Sequence, residues 1–289
     1  MGCITEITGH TKLTGLLGSP VAHSKSPLMH NEAYKLLGLD YVYLCFDVPE
    51  KNLETAFEGL KKLNVAGFNC TMPDKTLMCS LVDELSPAAK IIGAVNTVVN
   101  KNGRFIGHNT DGTGYIKSLE SYGHTIKNKK MTLLGAGGAA SSICVQAALD
   151  GARAIDVFSV KDAFWNKAEK MVSDINQNTD CSVKLIEIGN DDVLGNSLSD
   201  SDILTNATPV GMAPNIDGCL ISTPDMLRSD LIVSDIVYNP LETKLYKMAK
   251  EKGCPVFNGL YMLLYQGAEA FKLWTGKDMP AEDIKAKYF

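Results

Sequence analysis

At 289 residues and 45% hydrophobic content, the chain is long enough for one large or two medium domains with cores of their own. Its formal net charge of −5 excludes a basic field for nucleic acid or anionic lipid. No apolar run approaches the ~20 residues that a membrane-spanning helix needs.

The opening stretch "MGCITEITGH" has neither the basic n-region nor the apolar h-region of an export signal. Glu6 stands where the myristoylation pattern wants Ser or Thr. Eight scattered cysteines, from Cys3 to Cys254, form no C-x-x-C pair and read as small hydrophobes kept reduced, so a cytoplasmic protein is expected. The five histidines form no H-E-x-x-H or cysteine–histidine set, and no metal is expected.

Strand-like and helix-like patches then alternate to the end, the pattern of an α/β protein. "KLTGLLG" reads as a strand, and "SPLMHNEAYKLLG" as a helix capped by Ser26, with Pro27 in its first turn and Gly38 as its stop. "YVYLCFDV" is a second strand. "PEKNLETAFEGLKKLN" puts Leu53, Ala56, Phe57, Leu60 and Leu63 on one helical face. "VAGFNCTMP" is a short strand running into a loop, and "AVNTVVNKNGRFIGHN" a hairpin turning at Asn102-Gly103. From about residue 113 the character changes: an apolar strand, a glycine turn and a small-residue helix make up "MTLLGAGGAASSICVQAALDG". Further strands are expected in "ARAIDVFSV", "VKLIEIG", "SDILTNATP" and "LIVSDIVYNP". "DAFWNKAEKMVSDIN" reads as a helix capped by Asp162, and "GLYMLLYQGAEAFKLWTG" as a long amphipathic helix returning to the first domain.

The glycine turn carries the first chemistry. Gly135, Gly137 and Gly138, with Ala136 and Ala139 between and after them, sit between a strand and a helix. Such a turn lets a pyrophosphate approach backbone N–H groups at the positive end of a helix dipole. Ala140 replaces the third glycine of the usual dinucleotide fingerprint but is small enough for the same packing. A ribose-reading residue is expected roughly 20 residues later. Asp156 is near in spacing but mid-strand; Ser159 and Asp162 lie closer to the strand's exit. Asp162 can accept from ribose hydroxyls and is equally a good helix cap. Lys161 can meet a 2′-phosphate, though only as a point charge.

Three loops in the first half are polar. "GSPVAHSKSPLMHN" places Ser24 and Ser26 at a helix start, where hydroxyls and free N–H groups suit a carboxylate; taken alone, capping explains both serines better. "GFNCTMPDK" presents Asn69, Thr71 and Lys75, and "GHNTDGTG" presents Asn109, Thr110 and Asp111. A lysine and an aspartate on such loops can form an ion pair that holds a hydroxyl or carbonyl and moves its proton. Taken singly, Lys75 reads at least as well as a solvated lysine and Asp111 as a helix cap.

These stretches, together with "GAVNTVV", "LLGAGGAA", "NATPVGM", "VYNPLETKL" and "FNGLYMLLYQGAEAFKLWTG", appear in an order that strongly resembles shikimate dehydrogenases over nearly the whole chain. The resemblance implies two α/β domains around a cleft: a substrate-binding domain, residues 1–112 completed by 250–289, and a Rossmann-like NAD(P)-binding domain, residues 113–249. It implies reversible reduction of 3-dehydroshikimate to shikimate by a nicotinamide cofactor. By motif, Ser24 and Ser26 would hold the substrate carboxylate with Tyr238 nearby, and Asn69, Thr71, Asn96 and Gln266 the ring hydroxyls. Lys75 and Asp111 would be the catalytic pair, with the proton's owner undecided between them. Thr208, Val210 and Met212 of "NATPVGM", with Val237, Gly259 and Met262, would line the nicotinamide pocket. The resemblance allows a homodimer, which no sequence feature decides.

In "FSVKDAFW", Val160 stands where NADP-preferring members carry an arginine. An acidic residue at Asp162 followed by an aromatic, Phe164, is similar to the quinate/shikimate dehydrogenase branch, which can use NAD and accept quinate. NAD is therefore the expected cofactor, with NADP open through Lys161. The alternative is a non-catalytic sensor of dinucleotide or shikimate, against which the presence of both Lys75 and Asp111 argues.

Overall fold

A computed structural model describes residues 6–289, and Cys3 and the first residues of the opening segment lie outside the described residues. The chain divides into two compact units, one of residues up to Thr110 together with Leu264–Phe289, the other Asp111–Leu263.

The first unit opens with β1 (Lys12–Gly18), α1 (Ser26–Leu36), β2 (Tyr41–Asp47), α2 (Leu53–Lys62) and β3 (Gly67–Cys70). It continues through α3 (Met78–Leu81), β4 (Glu84–Leu85), α4 (Pro87–Ile92), β5 (Thr97–Lys101) and β6 (Arg104–His108). The six strands form a sheet in the order β2-β1-β3-β5-β6-β4. β1 runs parallel to β2 and β3, whereas β5 is antiparallel to β3 and β6. The hairpin turns where expected: Asn102 and Gly103 both take positive φ, 56° and 88°, which a two-residue turn between twisted strands requires.

Successive strand residues point to opposite faces, and β1 shows the consequence. Leu16 enters a core with Met29, Tyr34, Tyr43, Phe271 and Trp274; Leu17 enters another with Phe57, Phe68, Met78 and Phe105. The sheet is thus buried on both sides. Two expectations fail in detail. Leu63 is 71% exposed, because α2 ends at Lys62 and Asn64 turns the chain with φ 52°. Ser26 is the first residue of α1 rather than its cap; the cap position is Lys25, and Ser24 Oγ accepts the Ser26 N–H at 3.2 Å.

The second unit contains α5 (Asp111–Ser121), β7 (Lys130–Leu134), α6 (Gly138–Leu149), β8 (Ala154–Ser159), α7 (Trp165–Asn178) and β9 (Ser182–Glu187). Then come α8 (Asp191–Ser199), β10 (Ile203–Asn206), β11 (Ile232–Asp235), α9 (Lys244–Glu251) and β12 (Val256–Asn258). Its sheet, β12-β11-β10-β7-β8-β9, is parallel throughout, the doubly wound arrangement of a Rossmann-like fold. β12 pairs with β11, so this sheet extends past residue 249. The exchange back to the first unit falls inside α10 (Leu260–Thr275), and α11 (Ala281–Tyr288) closes the chain. Among the described residues no helix is long and apolar enough to cross a membrane, and all seven described cysteines are free thiols.

Candidate active site

In the first unit the expected substrate residues gather at the ends of β1, β3 and β5. Asn69, 6% exposed in β3, accepts the Tyr43 hydroxyl through Oδ1 at 2.8 Å and donates to Thr97 Oγ1 at 2.9 Å. Its Nδ2 also reaches the Asn96 carbonyl at 3.2 Å. Asn96 is tied in turn to Thr110: its Oδ1 accepts the Thr110 N–H at 2.8 Å and its Nδ2 donates to Thr110 Oγ1 at 3.0 Å. The Ser26 side chain lies close to the Tyr43 hydroxyl, and that of Ser24 close to the Cys45 thiol. Tyr43, Asn69, Thr97, Asn96 and Thr110 are therefore one connected polar chain. Burial drives the Tyr43 hydroxyl pKa well above its ordinary value, so it stays a donor.

Thr71 follows β3 directly; its N–H donates to the Leu17 carbonyl at 2.9 Å. Lys75 lies in the turn after it, half-buried, its carbonyl accepting the Val95 N–H at 2.8 Å. Beside it Asp74 is fully buried, with no hydrogen-bond partner on either oxygen, and burial raises its pKa. Gln266 is half-buried on the part of α10 that belongs to the first unit.

The second unit carries Asp111 as the first residue of α5, where a carboxylate meets the positive end of the helix. Tyr238 follows β11 and is 46% exposed.

The glycine turn joins β7 to α6 as expected. Gly135 takes φ +105°, and a Cβ there would stand 3.0 Å from the Ala207 carbonyl and Thr208 Cγ2, so only glycine brings these two loops together. At Gly137 and Gly138 an added Cβ meets nothing within 4 Å; with Ala136 and Ala139 half-buried, bare backbone N–H groups front the start of α6. That cradle fits a pyrophosphate.

After β8, Asp162 is not the cap of α7. The helix starts at Trp165, and Asp162 Oδ1 instead accepts the Phe164 N–H at 2.8 Å in a turn leading into it. Ser159, Lys161, Asp162 and Phe164 are all at or near the surface at the strand's exit, Phe164 being 69% exposed. Lys161 Nζ lies 5.8 Å from the Trp165 ring centre. Asp156 is indeed mid-strand, paired with Lys130 at 2.9 Å and with Ser197 at 2.8 Å, and is committed to structure.

Thr208 and Val210 are half-buried and Met212 is exposed in the loop after β10; Val237 is buried after β11; Gly259 is buried and Met262 half-buried at the start of α10. Sequence reasoning missed the residues beneath this loop, Asn206, Asp235 and Thr243. Asn206 and Asp235 carried a signal, a polar residue closing each of two apolar strands, "ILTN" and "IVSD".

A family signature described as the shikimate dehydrogenase substrate binding domain matches residues 16–98, and one described as the shikimate 5′-dehydrogenase C-terminal domain matches 259–287. A protein of Listeria monocytogenes named shikimate dehydrogenase (NADP(+)) is 52% identical over 99% of both chains. This chain belongs to the shikimate dehydrogenase family. A solved shikimate 5-dehydrogenase from Listeria monocytogenes, in complex with shikimate and NAD, is similar with a TM-score of 0.96 and 52% identity over 99% of both chains. The quinate dehydrogenase of Corynebacterium glutamicum in complex with NAD is similar with a TM-score of 0.84 and 29% identity, over 96% of this chain and 98% of that one.

Proposed function

We propose that the protein is a shikimate dehydrogenase that reversibly exchanges a hydride between a nicotinamide dinucleotide and shikimate/3-dehydroshikimate, with NAD preferred. The observation that carries the reading is the buried polar chain from Tyr43 to Thr110, a set of fixed donors and acceptors suited to a polyhydroxylated ring acid. Ser24 and Ser26 present hydroxyls to the carboxylate, with Tyr238 as a further partner. Asn69, Thr71, Asn96 and Gln266 hold the ring hydroxyls.

A bound nicotinamide dinucleotide supplies or takes the hydride. The residues that would hold it are the Gly135–Ala139 turn for the pyrophosphate, Ser159 to Phe164 for the adenosine, and Thr208, Val210, Met212, Val237, Gly259 and Met262 for the nicotinamide. Lys75 gives a proton to the substrate oxygen as the ketone is reduced and takes one back in the reverse direction. Asp111 is the second member of the catalytic pair and grips a hydroxyl of the substrate.

NAD preference rests on three features. Val160 stands where an arginine fork would be needed for a 2′-phosphate. The Asp162 carboxylate is pinned by the Phe164 N–H and repels a phosphate. The Lys161 ammonium rests over Trp165. The similarity to a quinate dehydrogenase favours a second substrate, quinate. Thiols carried free on every described cysteine favour a reducing compartment, the cytoplasm.

The test is a set of initial rates on shikimate and quinate, each with NAD and with NADP. Higher kcat/KM with NAD supports the Asp162 reading, and NADP preference overturns it. Dinucleotide binding without turnover on either substrate would favour a sensor instead.

A further inference from the structure

We propose that Asp235 is a positioning residue, whose buried carboxylate sets the loops that meet the nicotinamide end of the dinucleotide. The proposal rests on the function proposed above. Asp235 and Asn206 close the adjacent parallel strands β11 and β10 and face each other in register. Open α/β sheets bind ligands beyond those carboxyl ends.

Asp235 is fully buried. Its Oδ1 accepts Asn206 Nδ2 at 2.9 Å and the Val237 N–H at 3.1 Å; its Oδ2 accepts Thr243 Oγ1 at 2.6 Å. A carboxylate only accepts, so Asn206 must turn its NH2 toward it. The Asn206 carbonyl oxygen is thereby aimed the other way, where it accepts the Thr208 N–H at 3.1 Å and the Thr208 hydroxyl at 2.7 Å. The same Nδ2 reaches the Val210 carbonyl at 3.2 Å. Flipping the amide would set oxygen against oxygen at Asp235 and nitrogen against N–H at Thr208. One charge therefore decides the Thr208–Val210 turn through Asn206, and directly holds Val237. Thr243, which caps α9 through the Tyr246 N–H at 3.1 Å, anchors the carboxylate from behind.

The experiment compares wild-type protein with Asp235→Asn and Asn206→Ala. It measures NAD and NADP Kd by calorimetry, kcat, the KM of each substrate, and Tm. The expected result is a tenfold or greater rise in dinucleotide Kd and a tenfold or greater fall in kcat in both variants, with shikimate KM within twofold. A merely structural role would lower Tm and leave dinucleotide Kd and kcat within twofold at a temperature where the variant is folded; that result overturns the proposal. Should Asp235→Asn not fold, Asn206→Ala decides alone, because it leaves the Thr243 and Val237 bonds intact. If the wild-type protein binds dinucleotide without turning shikimate over, the activity reading fails while the Kd comparison still judges Asp235. If it binds no dinucleotide, both fail.

Discussion

The Tyr43 hydroxyl donates to Asn69 Oδ1 at 2.8 Å, and both residues are buried. That bond fixes which end of the Asn69 amide faces Thr97 and which faces Tyr43. Tyr43→Phe leaves the Asn69 oxygen without its donor, at a cost of ~1–3 kcal/mol. Shikimate KM is expected to rise several-fold while dinucleotide KM stays unchanged. Thermal denaturation and initial rates check both halves, and equal shifts in the two KM values would contradict a local role.

Lys75→Ala removes the proposed proton donor while the polar chain around Asn69 and Asn96 remains in place. General acid–base catalysis contributes roughly 10²–10⁴-fold, so kcat should fall by that order with a much smaller change in substrate Kd. A kcat within a factor of three of wild type would remove Lys75 from its role.

At the adenosine end, Asp162→Ser keeps a hydrogen-bonding group beside Phe164 but removes the negative charge. The ratio of kcat/KM for NAD over NADP is expected to drop about tenfold, equivalent to ~1.4 kcal/mol of lost discrimination. An unchanged ratio would locate selectivity elsewhere.

Two buried groups make opposite contributions to stability against pH. His30, fully buried and stacked 4.4 Å from Tyr43, has its pKa pushed by burial from 6.5 down to about 3. Between those values the unfolded chain binds a proton that the folded one refuses, so stability falls as pH drops from 6.5 toward 3. Burial raises Asp74, so the folded state holds a proton that the unfolded chain has released, and stability falls as pH rises above 3.8. His30→Phe should flatten the acid limb of a Tm-versus-pH curve. Asp74→Asn should raise Tm at pH 7, because it removes the cost of the buried carboxylate. A lower Tm for Asp74→Asn would mean the carboxylate has a stabilising partner.

Much of the fold was legible in the residues themselves. Apolar periodicity located most strands and most long helices, though not the short strands Glu84–Leu85 and Val256–Asn258, and Asn102-Gly103 announced its turn, because burial and turn chemistry are written at short spacing. The glycine run and the ordered motifs likewise identified the family. Short helices such as Asp191–Ser199 and Lys244–Glu251 went unread, since two turns carry too little periodicity to separate from a loop. Only the tertiary structure could show that Asp162 precedes its helix rather than capping it, that Asp156 is spent on Lys130, and that Leu63 faces water. Nor could sequence pair Tyr43 with Asn69 or Asn206 with Asp235, partners 26 and 29 residues apart on different strands. A hydrogen bond is satisfied by whichever group folding brings within about 3 Å, and strand order in a sheet, which decides that, leaves no mark on the local sequence pattern.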